Sequence, residues 1–219
     1  MPRDAKLQDE LHEKLSWQGR VISVQPRVRL LRSFDQRSHS YLGYCLTVEG
    51  RIADQQREFS VGIGKAAQAK HQFRIGDIVQ GESMAVADSR TESVEFYKTS
   101  GLKLSERSQM GEENPPPWQG IPPELEVYRQ RGHRRLDTRT YETKCKPCLW
   151  GCRMAVEMIV DQWNSANKKY RFETFCYGPK SCPLYAAGPT RKVSGRRGIT
   201  WEEEDWVDEE ATAHRGEDE

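Results

Sequence analysis

The sequence predicts an α+β fold in which a five-stranded unit precedes a small cysteine-rich metal-binding module with one helix. Between Trp17 and Leu104, apolar residues cluster in five strand-like segments, with a short helical segment between the third and fourth. Five of the six cysteines fall between Cys145 and Cys182, and a proline-rich stretch separates the two parts. The two parts are therefore expected to be different kinds of unit.

Composition narrows the class of protein. The chain has 219 residues, of which 36% are hydrophobic, and its formal net charge is +1. This length allows one large or two small domains. It contains no run of about 20 apolar residues, the length that a membrane span needs, and its first 14 residues are rich in charge. We expect a cytoplasmic protein without a membrane partner, in which cysteines are thiols or metal ligands rather than disulfides.

The N-terminal part begins with a predicted helix. Leu7, Leu11 and Leu15 recur every four residues, which predicts a short amphipathic helix over residues 4–15. A predicted helix over residues 64–70 precedes the fourth strand. The predicted strands are Arg20–Leu31, Tyr41–Ile52, Arg57–Ile63, Asp77–Met84 and Glu92–Leu102.

One motif resembles a known fold family. The segment Phe73-Arg-Ile-Gly-Asp-Ile-Val-Gln-Gly81 looks like the turn that leads into the fourth strand of OB-fold domains. Together with the element order, the resemblance covers residues 17–104. It implies a five-stranded OB-like barrel whose strand 2–3 face and neighbouring loops bind oligonucleotides or oligosaccharides.

Cations and aromatic rings are interleaved in the first two predicted strands. Single-stranded nucleic acid is bound by this mixture, because cations contact phosphates and rings stack on bases. The alternative is an ordinary half-exposed strand, which shows the same alternation. The candidate nucleic-acid-binding residues here are Arg27, Arg29, Arg32, Arg37, Tyr41 and Tyr44.

Prolines divide the chain. Five prolines and two glycines within residues 106–124 exclude a continuous helix or interior strand. We therefore predict residues 1–105 as the N-terminal helix plus OB-like barrel, 106–124 as a linker, 125–200 as a cysteine-rich zinc module and 201–219 as an acidic tail.

Four cysteines have the pairing expected of a structural Zn²⁺ site. Cys145 and Cys148 form a C-x2-C pair, and Cys176 and Cys182 form a second pair on a Gly-Pro loop. Two such pairs supply the four thiolates of a closed tetrahedral site. The module resembles zinc-ribbon or treble-clef modules in having two cysteine pairs. Zinc ribbons carry the first cysteine pair on a hairpin, whereas a helix is predicted here. Treble clefs usually place the second pair at the start of a helix, whereas here it lies on a loop after a predicted strand.

Cys152 leaves an alternative open. Its spacing to the apolar residues up to Trp163 predicts the buried stripe of a helix. If Cys152 were instead a ligand, C-x2-C-x3-C with a final Cys-Pro would indicate an iron–sulfur cluster. A strand over residues 169–177 is predicted to deliver Cys176 to the site.

Charge is segregated at the C-terminal end. Residues 145–200 hold ten Lys and Arg against three acidic residues, whereas residues 201–219 hold one basic residue against ten acidic ones. Within the basic stretch, the loop of residues 191–198 could contact phosphates along a nucleic-acid backbone. The acidic tail, which contains Trp201 and Trp206, could shield this basic surface or bind a protein partner. The candidate binding residues in this loop are Arg191, Lys192, Arg196 and Arg197.

The chain shows none of the common catalytic motifs. It lacks a phosphate-binding G-x-x-x-x-G-K-[ST] loop, a G-x-G-x-x-G turn, H-E-x-x-H and G-x-S-x-G. The prediction is therefore a non-enzymatic nucleic-acid-binding protein with a structural zinc site. The alternatives are a protein-interaction adaptor that uses its acidic tail and a small iron–sulfur redox protein.

Overall fold

The computed structural model describes residues 13–33, 35–109, 116–164, 166–203 and 205–216. Residues 4–12 of the predicted N-terminal helix lie outside these ranges. Lys14 and Leu15, also expected in that helix, belong to the first strand.

The five strands and the intervening helix predicted for the N-terminal part are confirmed, with shifted ends. Their alternating apolar residues face a shared core, as period-2 patterning requires. The elements are β1 (Lys14–Arg32), β2 (Arg37–Ile52), β3 (Gln55–Ile63), α1 (Lys65–His71), β4 (Ile78–Ala85) and β5 (Phe96–Glu106).

These five strands pair in a ring. β1 pairs antiparallel with β2 and β4, β2 pairs antiparallel with β3, and β4 pairs antiparallel with β5. A single parallel contact, Val61 with Phe96, joins β3 to β5. Trp17, Phe59 and Phe96 fill the interior, where Phe59 makes edge-to-face contacts with both other rings.

The C-terminal part is also mainly strand. Its strands are short except for β7 and β8, which are nine residues each. A π-helical turn, Tyr141–Cys145, continues α3, and a 3-10 turn, Arg196–Gly198, follows β9. The elements are α2 (Leu125–Arg131), β6 (Arg134–Arg135), α3 (Thr138–Thr140), β7 (Gly151–Ile159), β8 (Lys168–Cys176), β9 (Arg191–Ser194), β10 (Thr200–Glu203) and α4 (Trp206–Thr212).

The predicted fold class, an OB-like barrel followed by a one-helix cysteine module, is wrong. The described strands form one large mixed sheet of eight, in the order β2-β3-β5-β4-β1-β7-β8-β6, and a two-stranded sheet of β9 and β10. β7 joins β1 in parallel, with Arg29–Arg32 beside Ala155–Met158. The second part therefore extends the first part's sheet instead of standing apart as a helical module.

The helix predicted to start at Cys152 is the strand β7. Its even-numbered residues from Cys152 to Met158 are buried, and so is Ala155 on the other face. β7 is paired on both edges, with β1 and β8. The apolar residues of β7 form a run broken only by Arg153 and Glu157, and periodicity alone does not distinguish such a run from one side of a buried helix.

One apolar cluster contains residues of both parts. Val28 and Leu30 of β1 lie in it with Met154 and Val156 of β7 and Phe175 of β8. The predicted strand over residues 169–177 is confirmed as β8. None of the described helices is long and apolar enough to cross a membrane.

Candidate functional site

Four cysteines from three segments lie near one another. Cys145, Cys148 and Cys176 are buried in a small cluster with Leu136 and Tyr141, and Trp118, Trp150, Leu184 and Tyr185 pack against it. Burial raises the pKa of the Cys145 thiol to about 11, and the nearby Cys176 and Cys182 raise it further. The structure thus brings together the four cysteines that the sequence singles out.

The backbone around these cysteines forms tight turns. The Cys148 amide donates to the Cys145 carbonyl at 3.0 Å, and the Gly151 amide donates to the Cys148 carbonyl at 3.0 Å. The Gly178 amide donates to the Cys176 sulfur at 3.3 Å. The amide of Trp150 also donates to Cys148 and lowers its pKa, although burial raises that pKa to about 12. Such N–H donors favour the thiolate over the thiol.

Gln25 of β1 holds the Cys145–Cys148 turn. Its side-chain amide donates to the carbonyls of Cys145, Lys146 and Cys148 at 3.1, 3.0 and 2.8 Å. Its oxygen accepts from the Tyr141 hydroxyl at 2.7 Å. Gln25 carries no signal in the sequence, because the contact joins residues about 120 positions apart and a lone Gln in a strand has no motif.

The ligand geometry itself is not formed. Among the described residues, no group of three or more His, Cys, Asp or Glu side chains is arranged to hold a metal ion. Burial is the largest cause of the raised pKa at Cys145, Cys148 and Cys176, so these thiols are protonated near neutral pH. Zinc binding therefore stays a prediction, and it would require loss of these protons and convergence of the sulfurs.

Cys152 lies apart from the four. It is fully buried in the large core, and its thiol donates to the Pro26 carbonyl at 3.3 Å. Burial raises its pKa most, and the cysteine that contributes further is Cys45, not a member of the cluster. Its position in β7 is that of a core residue.

Two of the candidate arginines are held by one carboxylate. Glu92, in the β4–β5 loop, pairs with Arg27 at 2.8 Å and with Arg29 at 2.5 Å. Arg29 also donates to the Thr91 carbonyl at 3.1 Å. Both guanidinium groups therefore tie the loop to β1, and a phosphate would compete with Glu92 for them.

The two candidate tyrosines expose little ring surface. Tyr44 is 3% exposed, and its hydroxyl donates to the Pro123 carbonyl at 2.7 Å. The hydroxyls of Tyr41 and Tyr177 are 3.3 Å apart, and the Arg129 guanidinium lies 5.1 Å from the centre of the Tyr41 ring. A base could reach Tyr44 only after local rearrangement, and it could stack on the half-buried Tyr41 only by displacing Arg129.

All but one of the other candidate cations lie at ion-pair distance from a carboxylate. Arg32, Arg37 and Arg191 belong to a partly buried network of ion pairs with Glu173 and Glu203. Lys192 lies 3.5 Å from Glu202, and Arg196 lies 3.4 Å from Asp161. Arg197 is exposed, has a left-handed backbone (φ 57°), and within the described chain has no carboxylate at ion-pair distance.

A different surface combines cations with exposed rings. We call it the aromatic face and define it by Arg90, Arg153, Tyr170 and Phe172. Tyr170 and Phe172 are two residues apart in β8, so they project from the same side of the sheet. The Arg153 guanidinium lies 4.0 Å from the Phe172 ring centre, and that of Arg90 lies 4.8 Å from the Tyr170 ring centre.

Arg29 extends this face towards β1. It is the register partner of Ala155, which in turn is the partner of Phe172. The row Arg29, Ala155, Phe172 therefore crosses three strands on one side of the sheet, with a small residue in the middle. Arg153 is exposed, and in the described part of the chain no carboxylate pairs with it.

The acidic tail is folded against basic residues. Two carboxylates, Asp205 and Asp208, pair with Arg135, which is 3% exposed. Trp206, which the sequence suggests as a docking residue, is 55% exposed. Asp208 is 16% exposed, whereas Asp205 remains 77% exposed although it also reaches Arg135. A buried guanidinium group needs such carboxylate partners.

Two histidine rings meet where β2 and the residue before β6 come together. The ring centres of His39 and His133 are 4.7 Å apart, and His133 also contacts Phe175. Burial lowers the pKa of His39 from 6.5 to about 4, with contributions from Arg37 and Arg32. Burial likewise holds the pKa of His133 well below its ordinary value. Both rings are neutral in the folded protein at neutral pH.

Acid is therefore expected to destabilise the fold through these rings. As the pH falls, the unfolded chain protonates His39 near 6.5, whereas the folded chain does so only near 4. Stability is highest above about pH 6.5 and is lost as the pH falls towards 4, by up to about 3 kcal/mol for His39. Urea unfolding at pH 7.5 and 4.5 should show a smaller loss in His39→Gln than in the wild type. The exposed His214→Gln control should behave like the wild type; equal losses in all three proteins would contradict the assignment.

Comparisons with known proteins gave no relatives. No protein-family model, curated protein or solved structure matches the chain.

Proposed function

We propose that the protein binds single-stranded nucleic acid across the aromatic face, without catalysing a reaction. The observation that carries this proposal is the pair of rings at alternate positions of β8, Tyr170 and Phe172, each accompanied by an arginine. Bases stack on aromatic rings whatever their sequence, and guanidinium groups contact phosphates or stack on bases.

The spacing supports an extended strand of nucleotides. Side chains two residues apart on one side of a strand are separated by roughly 7 Å. That distance is close to the separation of successive bases in a stretched single strand, so each ring can take one base. In the proposed complex, a base displaces the guanidinium of Arg153 or Arg90 from the ring, and the freed cation contacts phosphate.

The surrounding structure suits this role. Glu92 links Arg27 and Arg29 to the β4–β5 loop, which also carries Arg90. The loop is thereby held beside the rings, so that less ordering is needed when a ligand binds. Asp88, Glu92 and Glu157 lie near this face, and each already pairs with a cation. Asp88 pairs with Arg90 itself at 2.8 Å, so a phosphate at Arg90 would compete with that carboxylate.

We further propose that Cys145, Cys148, Cys176 and Cys182 bind one structural Zn²⁺. Four thiols, two from one tight turn, one from the end of β8 and one from the loop after it, are a donor set that zinc prefers. The Trp150 and Gly178 amides would stabilise the thiolates, and Gln25 would orient the first turn from outside, as supporting residues do in metal sites. The site would fasten the start of β7 to the end of β8.

The binding proposal is tested with single-residue variants and a fluorescent oligonucleotide. Phe172→Ala is expected to weaken binding roughly tenfold without changing the salt dependence, because a base stack is worth about 1–3 kcal/mol. Arg153→Ala should lower the slope of log affinity against log salt by about 0.7, the value for one phosphate contact on a single strand. Fluorescence anisotropy at several salt concentrations measures both effects.

Matched controls are available elsewhere on the chain. Tyr97→Ala removes a half-buried ring of β5, and Arg139→Ala removes an exposed cation of α3; neither belongs to the aromatic face. Both should bind as the wild type does. If Phe172→Ala and Arg153→Ala bind no differently from these controls, the aromatic face is not the binding surface.

A further inference from the structure

Four arginines surround two carboxylates on the side of the sheet opposite the aromatic face. We call this group the arginine cluster, and its members are Arg32, Arg37, Arg171, Arg191, Glu173 and Glu203. Arg32 ends β1, Glu173 lies in β8, and Glu203 ends β10 in the acidic tail. Glu203 pairs with Arg32 at 2.9 Å and with Arg37 at 3.0 Å.

The inner part of the cluster is closed to solvent. The Glu173 side chain is 1% exposed; it lies 2.5 Å from Arg171, 3.1 Å from Arg191 and 3.7 Å from Arg32. The Arg32 side chain is 4% exposed and that of Arg191 is 10% exposed. The Glu203 side chain is 11% exposed, so the buried charges are two positive and two negative, and the more exposed Arg37 (35%) and Arg171 (30%) add two positive charges at the rim.

Several guanidinium N–H groups in this cluster have no acceptor. Within the described chain, the Nε and Nη1 atoms of Arg32 and the Nε atom of Arg191 are buried without a hydrogen-bond partner. The Nη2 atom of Arg171 likewise lacks a hydrogen bond, although it lies at ion-pair distance from Glu173. Oε2 of Glu173 and Oε2 of Glu203 also lack a hydrogen bond, although each lies at ion-pair distance from a guanidinium group. The two carboxylates therefore balance charge in this cluster without matching the directions of its N–H donors.

We propose that the arginine cluster is a binding site for a phosphate group, and that the carboxylate of Glu203 occupies the phosphate position in the structure described here. A phosphate presents three or more acceptor oxygens and more negative charge than a carboxylate. Its oxygens match the planar fork of N–H donors on a guanidinium group. Arg32, Arg37 and Arg191 would bind it, while Glu173 would hold Arg191 and Arg171 in place.

A cavity gives access to this position. It has a volume of about 340 Å³, and its walls include Arg32, Arg37, Glu203, Trp201 and Trp206. Asp35, Glu202 and Glu210 also line it, so an anion enters favourably only when β10 and its acids withdraw. Among the described strands, β10 pairs with β9 alone, over four residues. Few backbone hydrogen bonds must therefore break for β10 to move aside.

This proposal does not rest on nucleic-acid binding by the aromatic face. Arg29 and Arg32 are three residues apart in β1 and project from opposite sides of the sheet. A phosphate at Arg32 would therefore be a separate ligand, or the end of a longer one, and not part of a strand lying on Phe172.

The test removes the charge of the internal carboxylate and supplies inorganic phosphate. Glu203→Gln is expected to melt lower than the wild type in chloride. If its dissociation constant for phosphate is near 0.1 mM, 10 mM phosphate should raise its melting temperature by roughly 5–10 °C over sodium chloride of equal ionic strength. The wild type should gain less than about 2 °C, because Glu203 competes. Glu202→Gln, the adjacent and exposed acid, should respond like the wild type.

Two further variants keep the test decisive. Glu203→Asp retains the charge but shortens the side chain, so it should fold and gain an intermediate phosphate response even if Glu203→Gln does not fold. The double variant Arg191→Met, Glu203→Gln should show no rise in melting temperature with phosphate. The proposal is overturned if phosphate stabilises none of the Glu203 variants more than Glu202→Gln.

Short oligonucleotides distinguish the source of the phosphate. A 5′-phosphorylated trinucleotide and its 5′-hydroxyl counterpart should bind Glu203→Gln with different affinities if a nucleic-acid end is accepted. Equal affinities together with a response to free phosphate assign the site to a small phosphate compound. In the Glu203→Gln background, a Phe172→Ala change that weakens oligonucleotide binding but leaves the phosphate response intact shows that the two proposals succeed or fail separately.

Discussion

Cys148→Ser is expected to lose stoichiometric zinc and to lower the free energy of unfolding by at least about 3 kcal/mol. Structural zinc contributes roughly 10–16 kcal/mol of apparent binding energy in isolated zinc-finger peptides, and one missing thiolate opens the closed site. Because β7 is paired with β1, the loss should not remain local to residues 140–190. The β1–β7 edge should lose hydrogen-exchange protection as well.

Elemental analysis of freshly purified protein and urea unfolding measure these effects. Cys45→Ser provides the same substitution outside the four-cysteine cluster and should keep the metal. Cys152→Ala should also keep it, since Cys152 lies in the large core. A zinc-free preparation whose stability is unchanged by a chelator would exclude the zinc site, and iron with labile sulfide in its place would support the cluster alternative.

Glu173→Leu is the second change with a large expected effect. The Glu173 carboxylate is 1% exposed and lies within ion-pair distance of Arg32, Arg171 and Arg191. Removing it leaves buried guanidinium groups without their counter-charge, which typically costs about 3–5 kcal/mol when one partner of a buried pair is deleted. Chemical unfolding at neutral pH measures the loss.

An exposed ion pair supplies the control. Glu126 pairs with Arg129 at 2.9 Å, and both side chains are more than half exposed. Glu126→Leu should change the free energy of unfolding by less than about 1 kcal/mol, because solvent screens such pairs. Comparable losses in the two variants would mean that the arginine cluster contributes no more than a surface pair.

The alternation of apolar and polar residues predicted strands correctly where one face of the strand packs on the core and the other faces solvent. The alternating residues of β2 and β3 predicted both strands to within a few residues, and the same signal located β8. It was wrong for β7, because Ala155 and Ile159 on the more exposed face break the alternation set by Arg153 and Glu157, and the resulting apolar spacing also fits a helix. The pairing that makes this segment a strand is with β1, more than 100 residues earlier in the chain.

The candidate sites divide in the same way. Cysteine spacing identified four thiols that the fold places near one another: Cys145 and Cys148 share a short turn, Cys176 ends β8, and Cys182 lies in the loop that follows. The spacing did not indicate Gln25, which reaches the first turn from β1. Nor did the interleaved cations and rings show that Tyr44 is buried, or that Arg27 and Arg29 share Glu92.

The sequence by itself determined the chemistry that was present: strand-forming segments, two cysteine pairs, a basic stretch and an acidic tail. Only the tertiary structure decided which charges face one another. Arg37 and Glu203 are 166 residues apart, and their contact exists because β2 and β10 meet at the end of β1. Local propensity places a side chain on one face of its own strand, whereas its partner is set by long-range strand pairing, which no short sequence window contains.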